Sequence, residues 1–154
     1  MADAPPILVV EDNDEDFEML RLTFQKAAIP NPLLRCTDGE ETLRLLRHEG
    51  RPPDAERAPR PCLILLDLNL AGMDGRQVLE QLKADPALRG IPVIVLSTSD
   101  NPKDVQGCYQ GGGSAYLLKP VDLERFEAMV RHFKAFWLEF VVPPPEPPRE
   151  GHRR

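Results

Sequence analysis

Apolar residues in this chain come in short unbroken runs, each followed by acidic or small polar residues. Ile7-Leu8-Val9-Val10, Leu63-Ile64-Leu65-Leu66 and Ile91-Pro92-Val93-Ile94-Val95-Leu96 are long enough for strands and too short for helices. Leu33-Leu34-Arg35-Cys36-Thr37 and Ser114-Ala115-Tyr116-Leu117-Leu118 are weaker runs of the same kind. Continuous rather than alternating apolar residues predict strands covered on both faces, as in a parallel sheet.

Between these runs the apolar spacing becomes helical. A first helix is expected from about Glu15 to Ala28, with Phe17, Leu20, Leu22 and Phe24 inward and Pro30 beyond its end. Asp38, with Glu41 three residues on, predicts the start of a second, with Leu43, Leu45 and Leu46 inward. A third runs from about Arg76 to Ala84 on Val78, Leu79 and Leu82, after the turn Gly72-Met73-Asp74-Gly75. A fourth, Pro102 to Gln110, stops at Gly111-Gly112-Gly113. The last is capped by Asp122 and runs to about Phe140, with Phe126, Met129, Val130, Phe133, Trp137 and Phe140 on one stripe. Alternating strands and helices predict an α/β fold with a parallel sheet and helices on both faces. Residues 50–61, rich in Pro, Arg and Glu, are expected to form a long solvated loop. The domain is expected over 1–142, with a disordered Pro-rich and basic tail over 143–154.

Composition narrows the function. A net charge of −6 over 154 residues argues against a general nucleic-acid binder, which needs a basic footprint. No apolar run approaches the length of a membrane span, and Met1-Ala2-Asp3-Ala4-Pro5-Pro6 does not read as a signal peptide, so the cytoplasm is expected. Cys36, Cys62 and Cys108 are far apart and form no CxxC pair, which points away from disulfide or zinc roles.

Strand tips in a parallel sheet share one edge, where open α/β sheets build their sites. The tips here carry Glu11 and Asp12, then Asp67 and Asn69, then Ser97 and Thr98, then Lys119. Any one of them has an ordinary explanation. Asp67 or Ser97 could cap a turn, the acidic run could be a solvated loop, and Lys119 could point to water. Clustered carboxylates, however, repel one another and call for a counter-charge, and an all-oxygen set suits Mg²⁺, with Mn²⁺ as a substitute. Carboxylates, hydroxyl and amine on one rim suit phosphoryl transfer to Asp67. A metal held by Asp12 and Asp67, and through water by Glu11, would neutralise phosphoryl oxygens that Ser97 and Lys119 then bind.

The motifs Val10-Glu11-Asp12, Leu66-Asp67-Leu68-Asn69, Leu96-Ser97-Thr98 and Tyr116-Leu117-Leu118-Lys119-Pro120 resemble those of the receiver domain of two-component response regulators, over about residues 6 to 140. The resemblance implies a flavodoxin-like (βα)5 doubly wound sheet in strand order 2-1-3-4-5. It implies phosphorylation of Asp67 by a histidine kinase, and Mg²⁺ held by Glu11, Asp12, Asp67 and the main-chain carbonyl of Asn69. Ser97 and Tyr116 would be switch residues, Tyr116 moving inward as phosphate draws Ser97 in. Lys119 would bind phosphate, aimed by a cis bond to Pro120. Such a protein accepts a phosphoryl group and assists its own phosphotransfer and dephosphorylation rather than acting as an enzyme on a separate substrate.

Two departures from the commonest pattern stand out. Ala71, where Pro is frequent, is expected to loosen its loop. Thr98, where Ala or Gly is frequent, is expected to slow hydrolysis of the acyl phosphate. Leu96-Ser97-Thr98-Ser99-Asp100, Pro120-Val121-Asp122-Leu123-Glu124-Arg125-Phe126 and Phe136-Trp137-Leu138 further resemble stand-alone receivers paired with bacterial phytochrome kinases. Output would then be protein contact, through a downstream protein the sequence does not name. Phe136, Trp137 and Phe140 would supply an interface, and homodimers occur in that subgroup.

Other readings fit less well. A haloacid-dehalogenase-type phosphatase would need a second acid where Asn69 stands, and a flavodoxin-like nucleotide binder would not place Glu11 to Asp16 in its phosphate loop. A degenerate receiver acting as a phosphorylation-independent binding module runs against the intact Asp12, Asp67, Ser97 and Lys119 set.

Overall fold

The computed structural model describes residues 4–48 and 60–147. Most of the 50–61 loop and residues 148–154 of the tail lie outside the described residues. Five strands, β1 (Ile7–Val10), β2 (Leu33–Cys36), β3 (Leu63–Leu66), β4 (Val93–Ser97) and β5 (Ala115–Leu118), form one parallel sheet in the order β2-β1-β3-β4-β5. Helices α1 (Asp14–Lys26), α2 (Gly39–Arg47), α3 (Gly75–Ala84), α4 (Pro102–Gln110) and α5 (Leu123–Phe133) alternate with them. The flavodoxin-like doubly wound architecture is the expected one.

The unbroken apolar runs split cleanly between the two faces, because successive strand residues point opposite ways. Leu8, Val10, Ile64 and Leu66 pack on Val78, Leu79 and Leu82 of α3 and Leu43 and Leu46 of α2. Ile7, Val9, Leu63, Leu65, Ile94 and Leu96 pack instead on Leu20 and Phe24 of α1 and on Phe126, Val130 and Phe133 of α5. A smaller cluster of Leu68, Val95 and Cys108, with Tyr116 against it, lies under α4. All three cysteines are free.

Each of the five α-helices starts at a side-chain cap. Asn13, Asp38, Asp74, Asn101 and Asp122 each accept from an N–H of the first turn, and Asp74 with Gln77 forms a reciprocal capping box. These caps fix where each strand-to-helix loop ends, and those loops carry the site.

Two expected faces are wrong. Leu22 is half exposed rather than inward, since it falls off the Leu20–Phe24 line of α1. The last helix does not run to Phe140 as one α-helix; Lys134–Phe140 is π-helical. An i→i+5 turn advances less per residue than an α turn, so by Phe140 the stripe has rotated by roughly a third of a circle. Phe140 is consequently 77% exposed and Phe136 56% exposed, while Trp137 stays packed against the α1/α5 core. Residues 142–147 have no regular secondary structure.

Candidate functional site

Backbone bonds continue the sheet one residue past the strands and hold the tips in register. Glu11 N–H donates to Cys36 O (3.0 Å), Asp67 N–H to Val10 O (3.1 Å) and Lys119 N–H to Ser97 O (2.7 Å). Four tips are thereby lined up side by side.

Lys119 is the electrostatic centre. Its Nζ lies 2.9 Å from Glu11 Oε1, 3.5 Å from Asp67 Oδ2 and 3.6 Å from Asp16 Oδ2. The side chains of Lys119, Glu11 and Asp67 are only 13%, 7% and 11% exposed, so these pairings are weakly screened. Burial pushes the Glu11 carboxyl up to about 7, against the opposing pull of Lys119 and with the nearby Asp67 charge adding to the rise. Burial works against the charge on Lys119 too, but its bond to Glu11 and the charges of Asp67 and Asp16 hold its pKa above the ordinary value.

Carboxylate oxygens of Glu11, Asp12 and Asp67 all lie within 4.8 Å of one another. One ammonium therefore meets Glu11, Asp67 and Asp16, with Asp12 beside the first two, so acids outnumber the cation and the donors are oxygens throughout. That donor set fits a hard divalent cation. Asp12 is exposed, and its Oδ2 accepts the Ala71 N–H (3.1 Å), while Asp67 Oδ1 accepts the Asn69 N–H (3.0 Å). The Ala71 bond corrects an expectation: Ala71 ties its loop to Asp12 through an N–H that proline lacks, rather than loosening it.

No peptide bond among the described residues is cis, so the Lys119–Pro120 bond is trans, contrary to expectation. Trans is the intrinsic preference of an X–Pro bond by about 0.5–1 kcal/mol, and the long lysine side chain reaches Glu11 and Asp67 from it.

Ser97 is fully buried at the end of β4, and its Oγ accepts the Ser99 N–H (3.1 Å). The Tyr116 hydroxyl donates to Ser99 O (2.7 Å), and its ring packs against the Leu68, Val95 and Cys108 cluster. Ser99 Oγ in turn donates to Asp104 Oδ2 (2.6 Å), and Asp104 pairs with Arg76, which also bridges Asp74 (3.0 Å). The exposed Thr98 shares a cleft of about 240 Å³ with Glu11, Asp16, Asp67 and Lys119.

The sequence reading missed four participants. Asp16 sat inside an acidic run and was indistinguishable there from its exposed neighbours. Asp104 and Arg76, on α4 and α3, carry no spacing signal that joins them to Ser99. Arg35 interrupts an otherwise apolar strand, the one clue that it had a polar task. Its Nε donates to Glu11 O (3.1 Å), its Nη2 lies 2.7 Å from Asp14 Oδ1 as an ion pair without an aligned hydrogen bond, and its guanidinium stacks 4.8 Å over the Phe17 ring.

Residues 7–131 match the response regulator receiver domain, and the chain belongs to that family. It is 40% identical over 142 residues to the response regulator Rcp1 of Synechocystis sp. (strain ATCC 27184 / PCC 6803 / Kazusa), a match covering 91% of this chain and 95% of Rcp1. The crystal structure of the phosphorylated cyanobacterial phytochrome response regulator RcpA superposes with a TM-score of 0.82 at 38% identity, over 92% of this chain and 99% of RcpA. The Mn²⁺-bound crystal form of Rcp1 superposes with a TM-score of 0.81 at 37% identity, over 92% of this chain and all (100%) of the Rcp1 chain. No helix among the described residues is long and apolar enough to cross a membrane.

Proposed function

We propose that this protein receives a phosphoryl group on Asp67 from a histidine kinase, a bacterial phytochrome by analogy with RcpA, and signals through a changed protein-binding face. The observation that carries the reading is Lys119 Nζ standing between Glu11 and Asp67 at 2.9 and 3.5 Å, on the rim where the three acidic side chains converge.

Asp67 Oδ attacks the phosphorus of a phosphohistidine in line, the P–N bond breaks, and the imidazole leaves with a proton from water. Glu11, Asp12, Asp67 and the carbonyl of Asn69 would hold Mg²⁺, or Mn²⁺ in its place, which when bound neutralises the phosphoryl oxygens. Lys119, already charged, moves from Asp67 to a phosphoryl oxygen as that carboxylate becomes an acyl phosphate. Ser97 donates its hydroxyl to another, and any shift of Ser97 acts on Ser99, to which Tyr116 and Asp104 are also bonded. The protein is thus a phosphoacceptor that assists its own phosphotransfer and dephosphorylation, not an enzyme with a separate substrate.

The exposed Phe136, Phe140 and Val142 form the apolar surface best suited to a second copy of the chain. Trp137 supports that surface from below, its ring edge-on to Phe136 at 5.4 Å.

Mass spectrometry after incubation with acetyl phosphate and Mg²⁺ tests the central step. A gain of one phosphoryl group that disappears in Asp67→Asn is expected; no gain in the parent protein refutes it. Repeating the measurement with purified candidate kinases and ATP identifies the donor.

A further inference from the structure

The loop between β1 and α1 carries Glu11 and Asp12, yet it is short, acidic and largely exposed. Such a loop tends to spread under its own charge. A single side chain from the edge strand spans it. Arg35, paired with Val9 in the β1–β2 register, extends over the α1 face of the sheet. It holds the carbonyl of Glu11 where the loop begins, the carboxylate of Asp14 where α1 begins, and the ring of Phe17 in the first turn of α1. The Glu11 N–H is meanwhile bonded to Cys36, so β2 grips that residue through both its peptide groups.

We propose that Arg35 is a positioning residue for the cation site: its guanidinium fork fixes the separation of the two ends of the acidic loop, and so the placement of the Glu11 and Asp12 carboxylates. Arginine is suited to this where lysine is not. A planar fork can donate to a carbonyl, pair with a carboxylate and stack on a ring at once, whereas an ammonium is a compact point charge with no plane to lay over a ring and no fixed fork. The inference rests on the reading of Glu11, Asp12 and Asp67 as a divalent-cation site.

The charge of Arg35 makes the idea sharply testable, because positioning and simple electrostatics predict opposite signs. Removing a cation near a cation site, and releasing Asp14, should by charge alone tighten metal binding. If Arg35 positions the loop, the same change weakens it. Mn²⁺ affinity is measured by electron paramagnetic resonance on parent, Arg35→Met and Arg35→Lys proteins. Arg35→Met keeps an apolar stem over Phe17, and Arg35→Lys keeps the charge. Groups that orient metal ligands typically matter at the level of 10- to 100-fold in affinity, and a loss on the order of tenfold is expected for both variants.

Leu34→Ala on the same strand, packed on the opposite face, serves as the control for lost stability. It should leave Mn²⁺ affinity within about twofold of the parent even where thermal stability falls as far, since it touches no part of the loop. Unchanged or tighter binding in Arg35→Lys overturns the proposal, as does an equal loss in Leu34→Ala. Should Arg35→Met not fold, Arg35→Lys alone decides. A parent protein that binds no Mn²⁺ would instead overturn the cation site itself.

Discussion

Gly75, at the start of α3, offers the sharpest test of how the fold sets the phosphoacceptor. A Cβ built there would lie 2.3 Å from Asp67 O and 2.7 Å from Leu68 Cα. Both are backbone atoms of the segment that carries Asp67, so no side chain can rotate away to make room. Gly75 N–H also bonds Leu68 O (3.1 Å), which holds the two segments together from the other side. Relief needs a backbone shift approaching 1 Å, and overpacking of this kind costs typically 1–3 kcal/mol. The better helix propensity of alanine returns at most about 1 kcal/mol, less at a first helical position. Gly75→Ala should therefore be destabilised by about 1–2 kcal/mol, which for a domain of this size lowers Tm by roughly 2–8 °C. The chemistry should suffer more than the stability. An ångström of displacement can cost as much as about 100-fold in a positioned reaction, so the rate of phosphorylation by acetyl phosphate should fall by at least tenfold. Differential scanning fluorimetry and timed mass spectrometry read the two effects. A Gly75→Ala protein as stable and as reactive as its parent would show that the contact between α3 and the end of β3 does not constrain Asp67.

Other substitutions probe separate parts of the argument. Lys119→Met should tighten Mn²⁺ binding, since an ammonium beside Glu11 and Asp67 competes with a cation, yet slow phosphotransfer roughly 10- to 100-fold through loss of a charged donor worth about 1.5–3 kcal/mol; parallel titration and kinetics would expose any coupling of the two signs. Thr98→Ala should shorten the lifetime of the acyl phosphate by opening the cleft beside Asp67 to water, and an unchanged lifetime by mass spectrometry counts against a shielding role. Leu66→Ala, emptying a fully buried position under α3, should lower unfolding free energy by about 2–5 kcal/mol in urea titration. Phe140→Ser should convert a dimer to a monomer in light scattering with Tm nearly unaltered, because Phe140 is mostly exposed; a parent that is monomeric at micromolar concentration with or without phosphate removes the dimer.

Most of the architecture was legible because each strand is a short, mostly apolar run and each α-helix opens on a capping side chain. Both signals are local. Placing Glu11, Asp12, Asp67 and Lys119 on one edge needed only the rule that parallel strands share their carboxyl end. What the sequence hid were features that depend on reach or on helix geometry. Arg35, Asp16 and Asp104 act across elements through long or flexible side chains, with no period to betray them. The aromatic stripe of α5 was read at α-helical spacing through Phe140, and the π-helical turns after Phe133 moved its end to the outside. Ala71 shows the same limit at smaller scale. Its side chain says little, and its contribution is the main-chain N–H that meets Asp12.

The bond from Ser99 N–H to Ser97 Oγ gives that hydroxyl a polarity. One lone pair is committed to the main chain, and among the described residues no acceptor engages its hydrogen. A serine wired in this way is a donor in waiting. It would welcome an oxyanion, which accepts. The backbone of the loop after β4 thereby shares in presenting that hydroxyl.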